Sequence, residues 1–160
     1  MFLVELLRGL PKELIILIIS ATPVIEVRGA VPIGLIMLQL EPIKVIMFAI
    51  LGSIIPIIPL LWFLNLATER LRKIAAFDRF IEWLFARTRA KSKLIAEWEL
   101  IGLTLFVAIP FPGTGVWTGT IAAYLLGLPL IPTVICATIG TTIASIIMWA
   151  ASSGIIHFFL

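Results

Sequence analysis

The segment Pro23-Val24-Ile25-Glu26-Val27-Arg28-Gly29-Ala30-Val31-Pro32 decides the fold, because it interrupts an apolar run with two prolines, a glycine and two charges. Proline removes an amide donor and fixes φ, and glycine permits backbone conformations that a helix interior does not use. A second cluster, Pro110-Phe111-Pro112-Gly113-Thr114-Gly115, interrupts a later apolar run in the same manner. The apolar blocks around these breaks fall at roughly 12–22, 32–40, 43–66, 94–109, 116–128 and 132–157. Crossing ~30 Å of hydrocarbon takes about 20 helical residues. The blocks 43–66 and 132–157 are long enough to cross. Those at 12–22, 32–40 and 116–128 are about half that length, and an eleven-residue helix rises about 16 Å. Two short arms joined by a break predict a hairpin that enters and leaves on one side. Its breaking residues are Pro23, Gly29 and Pro32 in one case and Pro110, Pro112, Gly113 and Gly115 in the other. Unwound backbone at such depth is tolerated only where protein or a wet cavity surrounds it.

The two halves of the chain match. Pro23 and Pro42 are 19 residues apart, as are Pro110 and Pro129. Gly52 follows ten residues after Pro42, and Gly140 eleven after Pro129. Each half therefore reads as hairpin, proline, long helix. A hairpin adds no net crossing and a long helix adds one, so the second half starts from the opposite side and forms an inverted repeat. The predicted fold is one all-α integral membrane domain, with a first repeat at 12–66, an amphipathic interfacial linker at 67–99 and a second repeat at 100–160.

Composition agrees. Of the 160 residues, 61% are apolar and 13% charged, with a mean hydropathy of +1.19. A soluble domain is nearer one-half apolar and one-quarter charged, so a water-soluble globule, a disordered chain and a collagen-like repeat are all excluded. The formal net charge of +3 sits entirely in residues 67–99, which hold eight basic and five acidic side chains, and the rest of the chain is neutral. That distribution argues against nucleic acid as a partner. It predicts a cytoplasmic loop, with both termini outside, in a multi-pass protein of the plasma membrane. In the linker, Leu71, Ile74, Phe77, Ile81, Leu84 and Phe85 recur at helical spacing between charges, as in a helix lying among lipid headgroups. The alternative is a solvated surface linker. Trp62, Trp83 and Trp98 fit an interfacial aromatic belt. Cys136 is the only cysteine, which excludes an intrachain disulfide. The N-terminal stretch lacks a basic leader and Ala21-Thr22-Pro23 is a poor cleavage site, so that stretch is expected to be retained structure.

Glu26 and Arg28 are the only charges expected deep in the membrane, because Lys12, Glu13, Glu41 and Lys44 fall at the hairpin mouth. A mid-membrane charge costs about 2.5–3.5 kcal/mol on insertion scales, so it is expected to be paired and functional. Two residues apart in a segment predicted to be non-helical, the pair would share one face of an extended strand. It reads either as an ion- or proton-coupled substrate site or as a structural ion pair holding the hairpin tip. Thr114, Trp117 and Thr118 would complete the pathway from the second break. Helix N-termini expected near Val116 and Pro32, together with Arg28, favour an anion at the centre. The ends of the incoming arms and Glu26 favour a cation or proton, and both signs stay open. Small residues recur at Gly115, Gly119, Ala123 and Gly127, at Ala137, Thr141 and Ser145, and at Gly140 and Ala144. Such rows let helices approach closely, within the chain or across a homodimer.

An enzyme is not expected. The single histidine, aspartate and cysteine (His157, Asp78, Cys136) lie far apart, so no catalytic triad, metal cluster or phosphate loop can be assembled. The spacing of Gly113, Gly115 and Gly119 is wrong for a dinucleotide fingerprint, so neither cofactor nor metal is expected.

The segment Pro23 to Gly34 resembles the first signature of the small multidrug export proteins, and Pro110 to Gly119 resembles the second. These are small prokaryotic membrane proteins, and the resemblance covers the chain from about residue 12. It implies a wider kinship with DedA-like proteins, which carry two re-entrant hairpins each followed by a membrane span and use charged hairpin residues in function. Of those charged residues, Glu26 and Arg28 match here, while the basic residue usual in the second DedA-like hairpin is absent. The leading expectation is a secondary transporter exporting small amphipathic molecules, with Glu26 as the coupling site. The alternatives are a flippase or scramblase for phosphate-bearing lipids and a non-transporting membrane scaffold.

Overall fold

A computed structural model describes residue 7 and residues 9–71, 93–111 and 113–159. The described residues form helices with no strand among them: α1 (Lys12–Ala21), α2 (Glu26–Pro32), α3 (Pro42–Ile54), α4 (Ile57–Leu71), α5 (Lys93–Ala108), α6 (Val116–Leu125) and α7 (Leu130–Phe159). The amphipathic pattern from Ile74 to Phe85, and Trp83 within it, lies outside the described residues, as does Pro112.

Proline sets most of the boundaries. α1 ends where Thr22 turns extended (ψ 141°), the conformation imposed on a residue preceding proline. Pro42 opens α3 at its first turn, where its missing amide costs nothing. α3 and α4 are separated only at Ile55-Pro56, so residues 42–70 form one long apolar unit. It runs past Ala67, so the start expected for the linker belongs to α4 instead. α7 has 30 residues and rises about 45 Å. α6 closes with a left-handed glycine: the amide of Gly127 (φ 65°) donates to the Tyr124 carbonyl, and that of Leu128 to the Ala123 carbonyl. Gly127 therefore ends the helix.

The first break is shorter than the sequence reading expects. Gly29 and Pro32 lie inside α2, and the helix continues through a wide π turn at Ile33–Met37. Val27, Ala30, Val31 and Gly34 recur at helical spacing and are buried, so the gain from packing that face outweighs the breaking tendency of Gly29 and Pro32. In the wide turn the Leu38 amide donates to the Ile33 carbonyl, five residues back. No helix starts at Pro32, so the second expected N-terminus is absent from the centre.

Two long helical units, Pro42–Arg70 and Leu130–Gly154, meet the length and apolarity needed to cross a bilayer. Only 33% of each apolar window is buried within the chain, so these are not the enclosed core helices of a soluble fold. Ile43, Met47, Leu51, Ile55, Ile58 and Trp62 line the exposed face of the first, and Ile131, Ile135, Ile139 and Ile143 that of the second. The interior holds apolar side chains such as Ile16, Ile19, Val45 and Ile57 together with small hydroxylated ones, including Ser20, Ser53, Thr133, Thr141 and Ser145. On α7 the hydroxyls of Thr133, Thr141 and Ser145 donate to the carbonyls four residues back, which satisfies them without water. An apolar outer face over an interior that admits small hydroxylated side chains is the arrangement of a protein dissolved in lipid.

The first arm of each half packs on that half's long helix. At Gly52 of α3 a Cβ would collide with the Leu17 carbonyl and the Ser20 hydroxyl of α1. At Gly140 of α7 it would lie 2.7 Å from the Thr104 carbonyl and 2.8 Å from Val107 of α5. The second arms cross over: α2 packs on α7, and α6 packs on α4. Gly119 fits against Val107 and Leu103, while Ala123 and Ala144 lie in two core clusters that each mix residues of both halves. The small residues at 119, 123, 140 and 144 thus serve packing within the chain.

Candidate functional site

The two breaks meet. Glu26 opens α2 with a left-handed backbone (φ 48°), an arrangement costing a non-glycine residue on the order of 1–3 kcal/mol. Residues two apart on a regular helix do not face each other. The departure of Glu26 from helical φ lets its carboxylate reach Arg28, and the expected extended strand is replaced by this helical start. Arg28 Nη1 donates to Glu26 Oε2 at 2.7 Å.

From this pair, contacts run to the second break. Glu26 Oε1 accepts the amide N–H of Trp117 at 3.1 Å, and the Val116 amide is also directed at the carboxylate. α6 begins after Gly115, which has no side chain to cap the free amides of the first turn. Glu26 supplies the missing acceptor from the other half of the chain. Arg28 Nη2 donates to Thr114 Oγ1 at 2.7 Å and to the Ile109 carbonyl at 3.2 Å. Thr114 in turn lies within donating distance of the Ile109 and Phe111 carbonyls. Trp117 Nε1 donates to the carbonyl of Ala21, the last residue of α1.

Glu26 is 5% exposed and is the one buried carboxylate among the described residues. Burying an ion pair yields little net stability, but removing one partner strands the other and costs about 3–5 kcal/mol. Arg28 Nε is itself buried without an acceptor. Of the residues expected in the pathway, Glu26, Arg28, Thr114 and Trp117 come together. Thr118 does not join them: it is exposed, and its hydroxyl reaches only the Gly115 carbonyl in its own helix turn, because it follows Trp117 around α6 onto the outward face. Pro23 and Gly113 are exposed beside the cluster, and Gly115 lies buried in it. Among the described residues no three of His, Cys, Asp and Glu stand close enough to hold a metal ion.

Sequence reasoning treated the α6 N-terminus and Glu26 as separate attractors of opposite sign. In the structure they satisfy each other. The available signal was Gly115 itself, since a helix that starts on a glycine must find its cap elsewhere. The Ala21 and Ile109 carbonyls were also missed, because backbone acceptors carry no residue type. A groove of about 390 Å³ between α4 and the end of α6, lined by Ile58, Leu61, Trp62, Asn65, Tyr124 and Leu128 among others, gave no local sign either.

The fold and site define a helical membrane protein in which the one carboxylate buried among the described residues joins two helical hairpins. Residues 26–147 match the family described as "putative small multi-drug export protein", and the chain belongs to that family. No curated protein and no solved structure matches it.

Proposed function

We propose that the chain is a secondary transporter that exports small amphipathic molecules, with Glu26 as the group coupling export to a proton or other ion. The observation carrying this reading is the Glu26–Arg28 pair, buried where the breaks of the two halves meet and bonded to both. A proton-coupled carrier needs a group inside its permeability barrier that can gain and lose a proton, and an intramembrane carboxylate is a candidate for that role. The family description supports the export class.

The reading takes α1–α2 and α5–α6 as re-entrant hairpins of two inverted repeats. Internal correspondence supports this. Gly52 packs on the Leu17 carbonyl and Gly140 on the Thr104 carbonyl, and Leu17 and Thr104 stand equally far before Pro23 and Pro110. Each second arm ends in a left-handed residue, Gln39 or Gly127, shortly before Pro42 or Pro129. Opposed repeats meeting at a central site are the architecture of alternating-access carriers. The reading gives the chain no enzymatic step and places the 67–99 connection in the cytoplasm.

Everted vesicles given an acid interior and ethidium as the probe test it. The wild-type protein is expected to accumulate dye when the gradient is imposed. Glu26→Gln is expected to abolish gradient-driven uptake in vesicles matched for the amount of folded protein, and Glu26→Asp to retain part of it. A Gln variant that transports like wild type but melts earlier in detergent would reduce the pair to a structural clasp.

A second reading, lipid translocation, is favoured by the groove beside α4. It is apolar along Ile58, Leu61 and Leu128, has polar groups in Asn65 and Tyr124, and includes the outward-facing Trp62. Labelled phospholipid in place of ethidium separates the two readings.

A further inference from the structure

Trp117 stands at the second position of α6 and contacts the first break on both of its sides. Its amide donates to Glu26 Oε1 at 3.1 Å, just after that break. Its indole Nε1 donates to the Ala21 carbonyl at 3.2 Å, just before it. The Ala21 carbonyl ends α1 and is one of those left without a partner inside a helix. A backbone amide can be supplied by any residue except proline, so the amide contact alone does not require tryptophan. The indole contact does, because its donor is the ring N–H, and it ties the start of α6 to the end of α1. Glu26 needs such bracing, since its left-handed backbone persists only where the surroundings hold it.

We infer that Trp117 is a positioning residue for Glu26: its indole, anchored on the Ala21 carbonyl, holds the α6 amides against the carboxylate and so sets the pH at which Glu26 changes charge. The functional weight of this inference rests on Glu26 being the coupling group, whereas the titration itself does not. Losing a donor to a carboxylate favours the neutral form. The charged group facing Glu26 is Arg28. α6 has no charged side chain, and α7 has none but His157 near its far end. Of the elements packed against α2, α1 carries Lys12, bonded to the Leu38 carbonyl, and Glu13, in the first turn away from Ala21. α3 carries Lys44, paired with Glu41. Beside its burial and Arg28, the α6 amides are the groups that act on the carboxylate.

Purified full-length protein in lipid nanodiscs is titrated by difference infrared spectroscopy of the carboxyl band, with Glu26→Gln as the blank. Trp117→Phe keeps the ring and removes the N–H. It is expected to raise the Glu26 midpoint by about half to one pH unit, a three- to tenfold change in proton affinity. Trp98→Phe, on an exposed face of α5, is expected to leave the midpoint in place. An unmoved midpoint in a folded Trp117→Phe protein overturns the inference. Where that variant does not fold, the wild-type protein decides. The Trp117 indole N–H resonance, assigned by Trp→Phe replacement at the other four tryptophans, is expected to shift with the same midpoint as the carboxyl band. A resonance that stays fixed through that midpoint overturns the inference equally. Absent ethidium uptake with a shifted midpoint removes the transport reading and leaves the positioning role standing.

Discussion

Gly115 stands at the closest approach of the two halves. Its φ of 149° lies in the region that disfavours any side chain, and a Cβ there would run into Glu26 Oε2 and come within 2.7 Å of Arg28 Nη1. Backbone strain and displacement of the pair act in the same direction. Gly115→Ala is therefore expected to cost about 2–4 kcal/mol, from a strained conformation plus a loosened buried pair. It should also uncouple α6 from Glu26, so that both thermal stability in detergent and gradient-driven uptake fall. Gly102, in the middle of α5, supplies the contrast, because a Cβ added there would meet nothing within 4 Å. Gly102→Ala is expected to be neutral or to stabilise by up to about 1 kcal/mol, as alanine is the better helix former. Equal melting of the two variants would show that the close approach at Gly115 does not exist.

At the scale of elements, helix contact depends on two missing side chains. Gly52 lets α1 approach α3, and Gly140 lets α5 approach α7, each against a backbone carbonyl that cannot turn aside as a side chain does. Gly52→Val and Gly140→Val are each expected to destabilise by about 1–3 kcal/mol or more through overpacking. Ile139→Val, on the outward face of the same helix as Gly140, is expected to stay within about 0.5 kcal/mol. Melting in one detergent compares all three, and a Gly140→Val protein as stable as Ile139→Val would refute the packing. What was legible in the sequence follows the range of the forces. Pro23, Pro42 and Pro129 act on their own backbone, so the end of α1 and the starts of α3 and α7 could be read directly. The long apolar runs show equally in composition. α2 could not be read from its breakers, because Gly29 and Pro32 were outweighed by burial of Val27, Ala30 and Val31 against distant residues. The pairing of Glu26 with Arg28 was legible, since a buried charge needs a partner nearby. Its bond to Trp117 was not, because the two are separated by 91 residues and the donor is a backbone amide.

For the whole molecule, the exposed surface of the long helices is apolar, and the charge imbalance lies between the halves. Residues 67–99 carry the entire net charge of +3, while the rest of the chain is neutral. Basic residues beside an anionic cytoplasmic leaflet gain about 1 kcal/mol each, so orientation is expected to follow this connection. One crossing by residues 42–71 and a return by residues 130–159 would then put both termini on the outer side, provided the hairpins cross nothing. Replacing Cys136 by Ala gives a background without cysteine, because it is the only one. Single cysteines at Gly9 and Leu160 are expected to react with an impermeant thiol reagent applied to intact cells. Cysteines at Lys73 and Lys91 are expected to react only after permeabilisation. The reverse pattern would put the basic connection outside and contradict the charge argument. Labelling at both sets in one preparation would mean that the chain inserts both ways, and that three net charges do not fix the orientation of so apolar a protein.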